Sequence, residues 1–306
     1  MKMAKAKKRF KLSRKFQNLL MLLLLVLGIG ILVYPDIANW YNRNQHDAMH
    51  QEHNANVAIM AAEEIEYQLN RARIFNDNLT GIHVQDPFVP GSGSVRSAEY
   101  YSILNFNGLM GRIEIPKIEV SLPIFHGTGD DVLARGAGHM ENTPFPIGGY
   151  GNHAIITAHT GMVNMRLFTD LYRLTYGDRF FVQVLDKRIA YEVDFIIEVY
   201  PHEIEVLVSY EDRDLITLVT CTPYAINTHR LLVRGTRIDY EPGMADEIES
   251  VIEPLNLRLV IVMGFTLLFI LIILFYRRKS KKAAKDEAHR RKAGQTTKPA
   301  RRKSND

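Results

Sequence analysis

Two apolar runs, each pressed against a basic end, constrain this chain more than any other feature. Leu19 to Tyr34 is built almost wholly from Leu, Val, Ile and Gly. Leu255 to Tyr276 is longer, with Asn256 and Arg258 near its outer end. About 20 apolar residues cross a bilayer, so the second run reads as a transmembrane helix. The first is shorter, as a signal segment would be. No clear small-residue cleavage site follows in Asp36-Ile37-Ala38-Asn39-Trp40, and the run reads as an uncleaved anchor. Residues 1–15 carry eight Lys/Arg and no acid; residues 277–306 carry thirteen Lys/Arg and three acids. Basic flanks stay in the cytoplasm. Both termini are therefore expected inside, with residues 36 to roughly 254 folded outside and tethered at both ends.

The charge of the middle follows from that of the ends. Of 38 Lys/Arg and 34 Asp/Glu in the chain, 17 and 31 remain between the basic ends, a net charge of about −14. An acidic middle argues against a nucleic-acid-binding surface. The basic tails suit anionic lipid headgroups, so membrane lipids are the partner expected there.

Residues 40–76 contain neither Pro nor Gly, and Val57, Met60, Ala61, Ile65 and Leu69 recur at helical spacing. One or two helices are predicted, ending at Asn76-Asp77-Asn78 and Gly81. Residues 82–97 are a loop rich in Pro and Gly, a connector or a functional cover. From Gly111 the pattern turns to strands: 112–116, 120–124, 153–157, 179–185, 188–199, 215–220 and 230–238. Many short strands with little helix between them predict a mostly antiparallel barrel or sandwich. The resulting division is a basic N-terminus (1–15), an anchor or signal segment (16–36), a helical region (37–80), a loop (81–97), a β domain (98–240), a linker (241–254), a transmembrane helix (255–276) and a basic tail (277–306).

The single cysteine, Cys221, ends the run Leu215-Ile216-Thr217-Leu218-Val219-Thr220. It has no internal partner for a disulfide, so its reactivity becomes the leading explanation. The plain alternative is a small buried hydrophobe. Arg230 opens the next strand, and if the two strands pair its guanidinium comes near the sulfur. Arginine is no base at working pH; its use would be to hold a carbonyl or a developing negative charge. The acid or base should be one of eleven histidines, and spacing does not choose among His159, His139 and His229. His159 ends an apolar strand and opens a Gly-containing loop, a common place for catalytic groups. Neither HExxH nor CxxC occurs, so no metal site and no cofactor are expected.

Thr217-Leu218-Val219-Thr220-Cys221-Thr222-Pro223-Tyr224, followed by Asn227-Thr228-His229-Arg230-Leu231-Leu232-Val233-Arg234-Gly235, resembles the active-site signature of sortases. Ala134 to Glu141 and Leu167 to Leu171 are similar to the pilin-polymerising class C. The resemblance covers about residues 80–240 and the two-anchor layout. It implies a mostly β fold: a closed eight-stranded barrel with N-terminal helices, flanked by two transmembrane helices. It implies Cys221 as nucleophile, His159 as general acid/base and Arg230 as the substrate- and oxyanion-holding cation, leaving His139 and His229 supporting roles. Asp86-Pro87-Phe88 resembles the lid tripeptide of that class, with Asp86 on Arg230 and Phe88 over Cys221. One departure is Thr160-Gly161 after His159, where the family pattern has a basic residue before the glycine.

What the resemblance implies about function is transpeptidation at the plasma membrane of a Gram-positive bacterium. An LPXTG-like sorting signal would be cleaved between Thr and Gly, and its acyl group joined to a lysine of a pilin subunit. Two rival readings are a housekeeping sortase that uses peptidoglycan amines and, from another class, a non-catalytic membrane assembly scaffold.

Overall fold

A computed structural model describes residues 14–79, 85–89, 97–206 and 212–248, then 264–271, 273, 275–276, 278–279, 282 and 285–286. The expected second span (255–276), the basic ends and the flanks of the 81–97 loop fall wholly or partly outside these residues. The chain divides into two compact units, residues 33–252 and a unit made of residues 1–32 with 253–306.

Helix α1 runs over Arg14–Ala58 and α2 over Ala62–Asn78. The helical periodicity across 40–76 thus resolves into two helices. Glu63 and Glu64 in the first turn of α2 complement its N-terminal dipole. The apolar start of α1 reaches a mean hydropathy of 2.5 over 18 residues, none of them buried. Among the described residues it is the one helix long and apolar enough to cross a membrane. Two short helices follow, α3 (Ala98–Ser102) and α4 (Asp130–Leu133).

Eight strands close into a barrel: β1 (Leu109–Ile115), β2 (Val120–His126), β3 (Ala137–His139), β4 (His153–Thr157), β5 (Arg179–Val184), β6 (Lys187–Val199), β7 (Leu215–Thr222) and β8 (His229–Ile238). Their order around the barrel is β1-β2-β3-β4-β7-β8-β6-β5. The pairings are antiparallel except β2–β3 and β4–β7, which are parallel. Seven strands fall on the predicted runs. The unforeseen one, β3, has three residues and a central glycine, too short to show alternation. Gly138 is needed there: a Cβ would lie 2.3 Å from the Gly127 carbonyl oxygen.

Every residue of β4 and β7 is buried. Ala154, Ile156, Ile216 and Leu218 point into the barrel core with Ile113, Ile124, Phe180, Tyr191 and Val233. The alternate residues Ile155 and Val219 join Met140, Val199 and Leu232 in a second apolar cluster on the outer face. A strand covered on both faces reads as an unbroken β-branched run, which is why these segments lack alternation.

The helices dock on the barrel through specific polar pairs. Asn76 of α2 donates from Nδ2 to the Phe145 carbonyl (3.2 Å) and accepts from the Phe145 N–H (2.7 Å). Helix α1 presents His46, His50 and His53, all buried, toward the barrel. His46 Nε2 donates to the Arg135 carbonyl (2.9 Å), and the His53 ring meets Phe106 edge-on (5.7 Å). Burial and the Arg112 guanidinium push the His50 imidazole down to about 3; burial also lowers His46 and His53.

These imidazoles are neutral when docked and take up protons when released, near their ordinary value of about 6.5. Docking of α1 is therefore strongest above about pH 6.5 and weakens as the pH falls toward about 3. Hydrogen-exchange protection of residues 40–58, corrected for intrinsic rates, should drop by about 1.4 kcal/mol per pH unit per proton taken up between pH 6.5 and 5. His50→Gln should flatten that slope; an unchanged slope would contradict the assignment.

Candidate active site

In register, Cys221 of β7 faces Arg230 of β8. The parallel pairing of β4 with β7 sets Thr157 beside Val219, and the Ala158 N–H donates to the Val219 carbonyl at 3.2 Å. His159 is two residues beyond Thr157, and Cys221 two beyond Val219. Side chains alternate along strands, and Ile155 and Val219 lie on the outer face. Thr157, His159 and Cys221 therefore share that face, as does Arg230 with Leu232. Adjacent strand ends thus bring His159, Cys221 and Arg230 together, with the cysteine strand in the middle.

Segment 85–89 lies over this face. Both Asp86 and Arg230 are buried, with side chains 5% and 8% exposed. Arg230 donates from Nε to Asp86 Oδ1 (2.8 Å) and from Nη2 to Oδ2 (2.7 Å), a two-pronged fork. Its Nη1 donates to the carbonyls of Asn227 (3.1 Å) and His229 (2.9 Å). Such a fork fixes the guanidinium plane as a lysine could not. The Phe88 N–H donates to Asp86 Oδ1 (3.3 Å), and the Val89 N–H to the Asp86 carbonyl (3.3 Å), turning the chain sharply at Pro87. Phe88 then packs on the outer apolar cluster. Its ring centroid is 5.5 Å from that of His159 and 5.0 Å from the Arg230 guanidinium carbon. Asp86 and Phe88 therefore engage two of the three expected catalytic side chains.

The other candidate histidines lie elsewhere. His139 is fully buried; its Nδ1 meets the Tyr100 hydroxyl (2.9 Å) and its Nε2 donates to the Pro144 carbonyl (2.8 Å). His229 stacks obliquely on Tyr200 at 4.4 Å. One residue that sequence reasoning missed is Asp130, whose carboxylate acts on His159 from the start of α4. Its signal, two acids after a glycine, means nothing until the barrel brings α4 alongside. Among the described residues, no group of three or more His, Cys, Asp or Glu could hold a metal ion.

Burial pushes the Cys221 thiol up to about 11; the Arg230 cation pulls it down and the Asp86 carboxylate pushes it further up. Burial lowers His159, against a smaller upward pull from Asp130. With the segment in place, both groups are neutral near pH 7. Reactivity requires the thiolate, and this arrangement favours the thiol.

A family model described as the sortase domain matches residues 113–238. A crystal structure of sortase C-1 from Streptococcus pneumoniae superposes with a TM-score of 0.60 at 41% identity, covering 65% of this chain and 100% of that one.

The chain belongs to the sortase family.

A pilus-related sortase C of Group B Streptococcus gives a TM-score of 0.57 at 42% identity, covering 60% of this chain and 94% of that one. Sortase A of Streptococcus agalactiae is 34% identical over 153 residues, 46% of this chain and 60% of its own length. The chain thus spans about three fifths of the curated sortases it matches.

Removing the Asp86 charge should lower the thiol pKa, because that carboxylate opposes the thiolate. Iodoacetamide labelling of Cys221 in Asp86→Ala should show a midpoint below the parent value and a rate at pH 7 about tenfold higher or more. An unshifted midpoint would mean that the Asp86 carboxylate does not oppose the thiolate.

Proposed function

We propose that this protein is a membrane-anchored cysteine transpeptidase of the pilin-polymerising kind. One observation carries the reading: Cys221 lies between the imidazole and guanidinium strands while Asp86 and Phe88 occupy those two partners. The likeness to sortase C structures supports it. Cys221 is the nucleophile, His159 the general acid and base, and Arg230 the cation that holds the substrate carbonyl. Asp86, Pro87 and Phe88 form a lid. Its opening hydrates the sulfur, removes the opposing carboxylate and frees the guanidinium for substrate.

The substrate is an LPXTG-like sorting signal cut between Thr and Gly. Thiolate attack forms a thioacyl-enzyme as His159 protonates the departing glycine amine. A lysine amine of the next pilin subunit then takes the acyl group. Only enzyme carrying thiolate and imidazolium together reacts, so activity follows a bell-shaped pH profile. The apolar start of α1 and the run at 255–276 anchor the chain, with both termini cytoplasmic, the barrel outside and the basic tails on anionic lipid. Attachment to peptidoglycan amines is the weaker reading, because the sulfur is covered so closely at rest.

Mass spectrometry of the purified chain with an LPXTG peptide should detect an acyl adduct on Cys221. The adduct should form several-fold faster in Phe88→Ala and be absent in Cys221→Ala. Persistence of covalent product in Cys221→Ala would refute the transpeptidase and favour a scaffold.

A further inference from the structure

Thr157 is completely buried, and its Oγ1 has no hydrogen-bond partner among the described residues. Its neighbours differ. On β7, Thr217 Oγ1 meets His153 Nε2 (2.7 Å), Thr220 Oγ1 donates to the Ala158 carbonyl (2.8 Å), and Thr222 Oγ1 donates to Glu198 (3.4 Å). Buried polar groups are almost always paired, and an unpaired one costs stability that a valine of the same shape would not. The hydroxyl therefore needs a reason to be there.

Its position suggests one. Thr157 lies on the outer face, one step below His159 and in register with Val219. The strand order β4-β7-β8 sets His159 and Arg230 on opposite flanks of Cys221. On the transpeptidase reading, Arg230 holds the acyl carbonyl, so the flank with His159 and Thr157 is where the amine departs and arrives. Ile155, Val219 and Met140 give apolar walls, against which Phe88 now packs. A ring withdrawn from such walls would leave apolar surface for the methylene stem of the proposed lysine acceptor.

We propose that the Thr157 hydroxyl accepts a hydrogen bond from the amine that resolves the acyl-enzyme and so positions it beneath His159. The ligand class is a primary amine on an unbranched methylene stem. This rests on the proposed function and adds a positioning residue to it. In the step concerned, the amine nitrogen bonds to the thioester carbon and the C–S bond breaks. The sulfur leaves with the electron pair as thiolate. The neutral imidazole of His159, which gave its proton to the first leaving amine, takes the proton that the attacking amine loses. Thiolate and imidazolium are thereby restored. Thr157 exchanges no proton; it holds one amine N–H so that the nitrogen lone pair faces the carbon.

The test uses the full chain, an LPXTG peptide and Nα-acetyl-lysine amide as acceptor, in Thr157→Val and Thr157→Ser. The readout is the ratio of amine transfer to hydrolysis, which does not depend on how fast the acyl-enzyme forms. Thr157→Val should keep or raise the melting temperature, raise the KM for the amine about tenfold and lower the transfer ratio by a similar factor. Thr157→Ser, which retains the hydroxyl, should restore both. An unchanged amine KM and ratio in Thr157→Val overturns the proposal. So does a lower melting temperature that Thr157→Ser repairs, since the hydroxyl would then have a structural partner. If the parent chain forms no acyl adduct at all, the transpeptidase reading itself fails, and this proposal with it.

Discussion

The fork between Asp86 and Arg230 organises the outer face of the barrel. It ties a segment ahead of the barrel to the eighth strand across 144 residues of sequence. Both charges lie out of water, and such burial costs nearly as much as the attraction returns. Removing one partner alone is expensive, because the other is left buried and uncompensated. Releasing the two together into water is not. A buried ion pair is thus well suited to a cover that must hold firmly at rest and still come away, as the proposed lid requires. Phe88 adds an apolar contact that water cannot replace.

The same fork sets the protonation of the site. With it formed, four of the five arginine N–H groups are engaged. Burial raises the thiol, and the Asp86 carboxylate opposes a thiolate further. His159, beside the Phe88 ring, is held below its usual range. Opening of the proposed lid would reverse each of these effects, coupling chemistry and access through one contact.

How much of this was legible in the sequence depended on range. Strands β4 and β7 stood out because both faces are buried and the residues are largely β-branched. Strand β3 did not, since Ala137-Gly138-His139 has nothing to alternate. The parallel neighbourhood of β4 and β7, which brings His159 to Cys221, left no local mark. Two distant runs meet only when the barrel closes. The residues alone could not choose among His159, His139 and His229; the family resemblance did. It also pointed to Asp86-Pro87-Phe88, whose local signal is only that of a turn. Asp130 and the unpaired hydroxyl of Thr157 were beyond any reading of pattern, because their meaning lies in what surrounds them in space.

Asp86 and Arg230 should act as one unit on the sulfur, which a double-variant cycle with Asp86→Asn and Arg230→Lys, read by the alkylation rate of Cys221, tests. The lysine keeps a cation near the sulfur while losing the fork. Each single change should accelerate labelling, and the double variant should be about as fast as the faster single one, since the same contact is lost in each. Multiplication of the two effects, within about twofold, would mean that the residues act independently and that the fork does not control the sulfur.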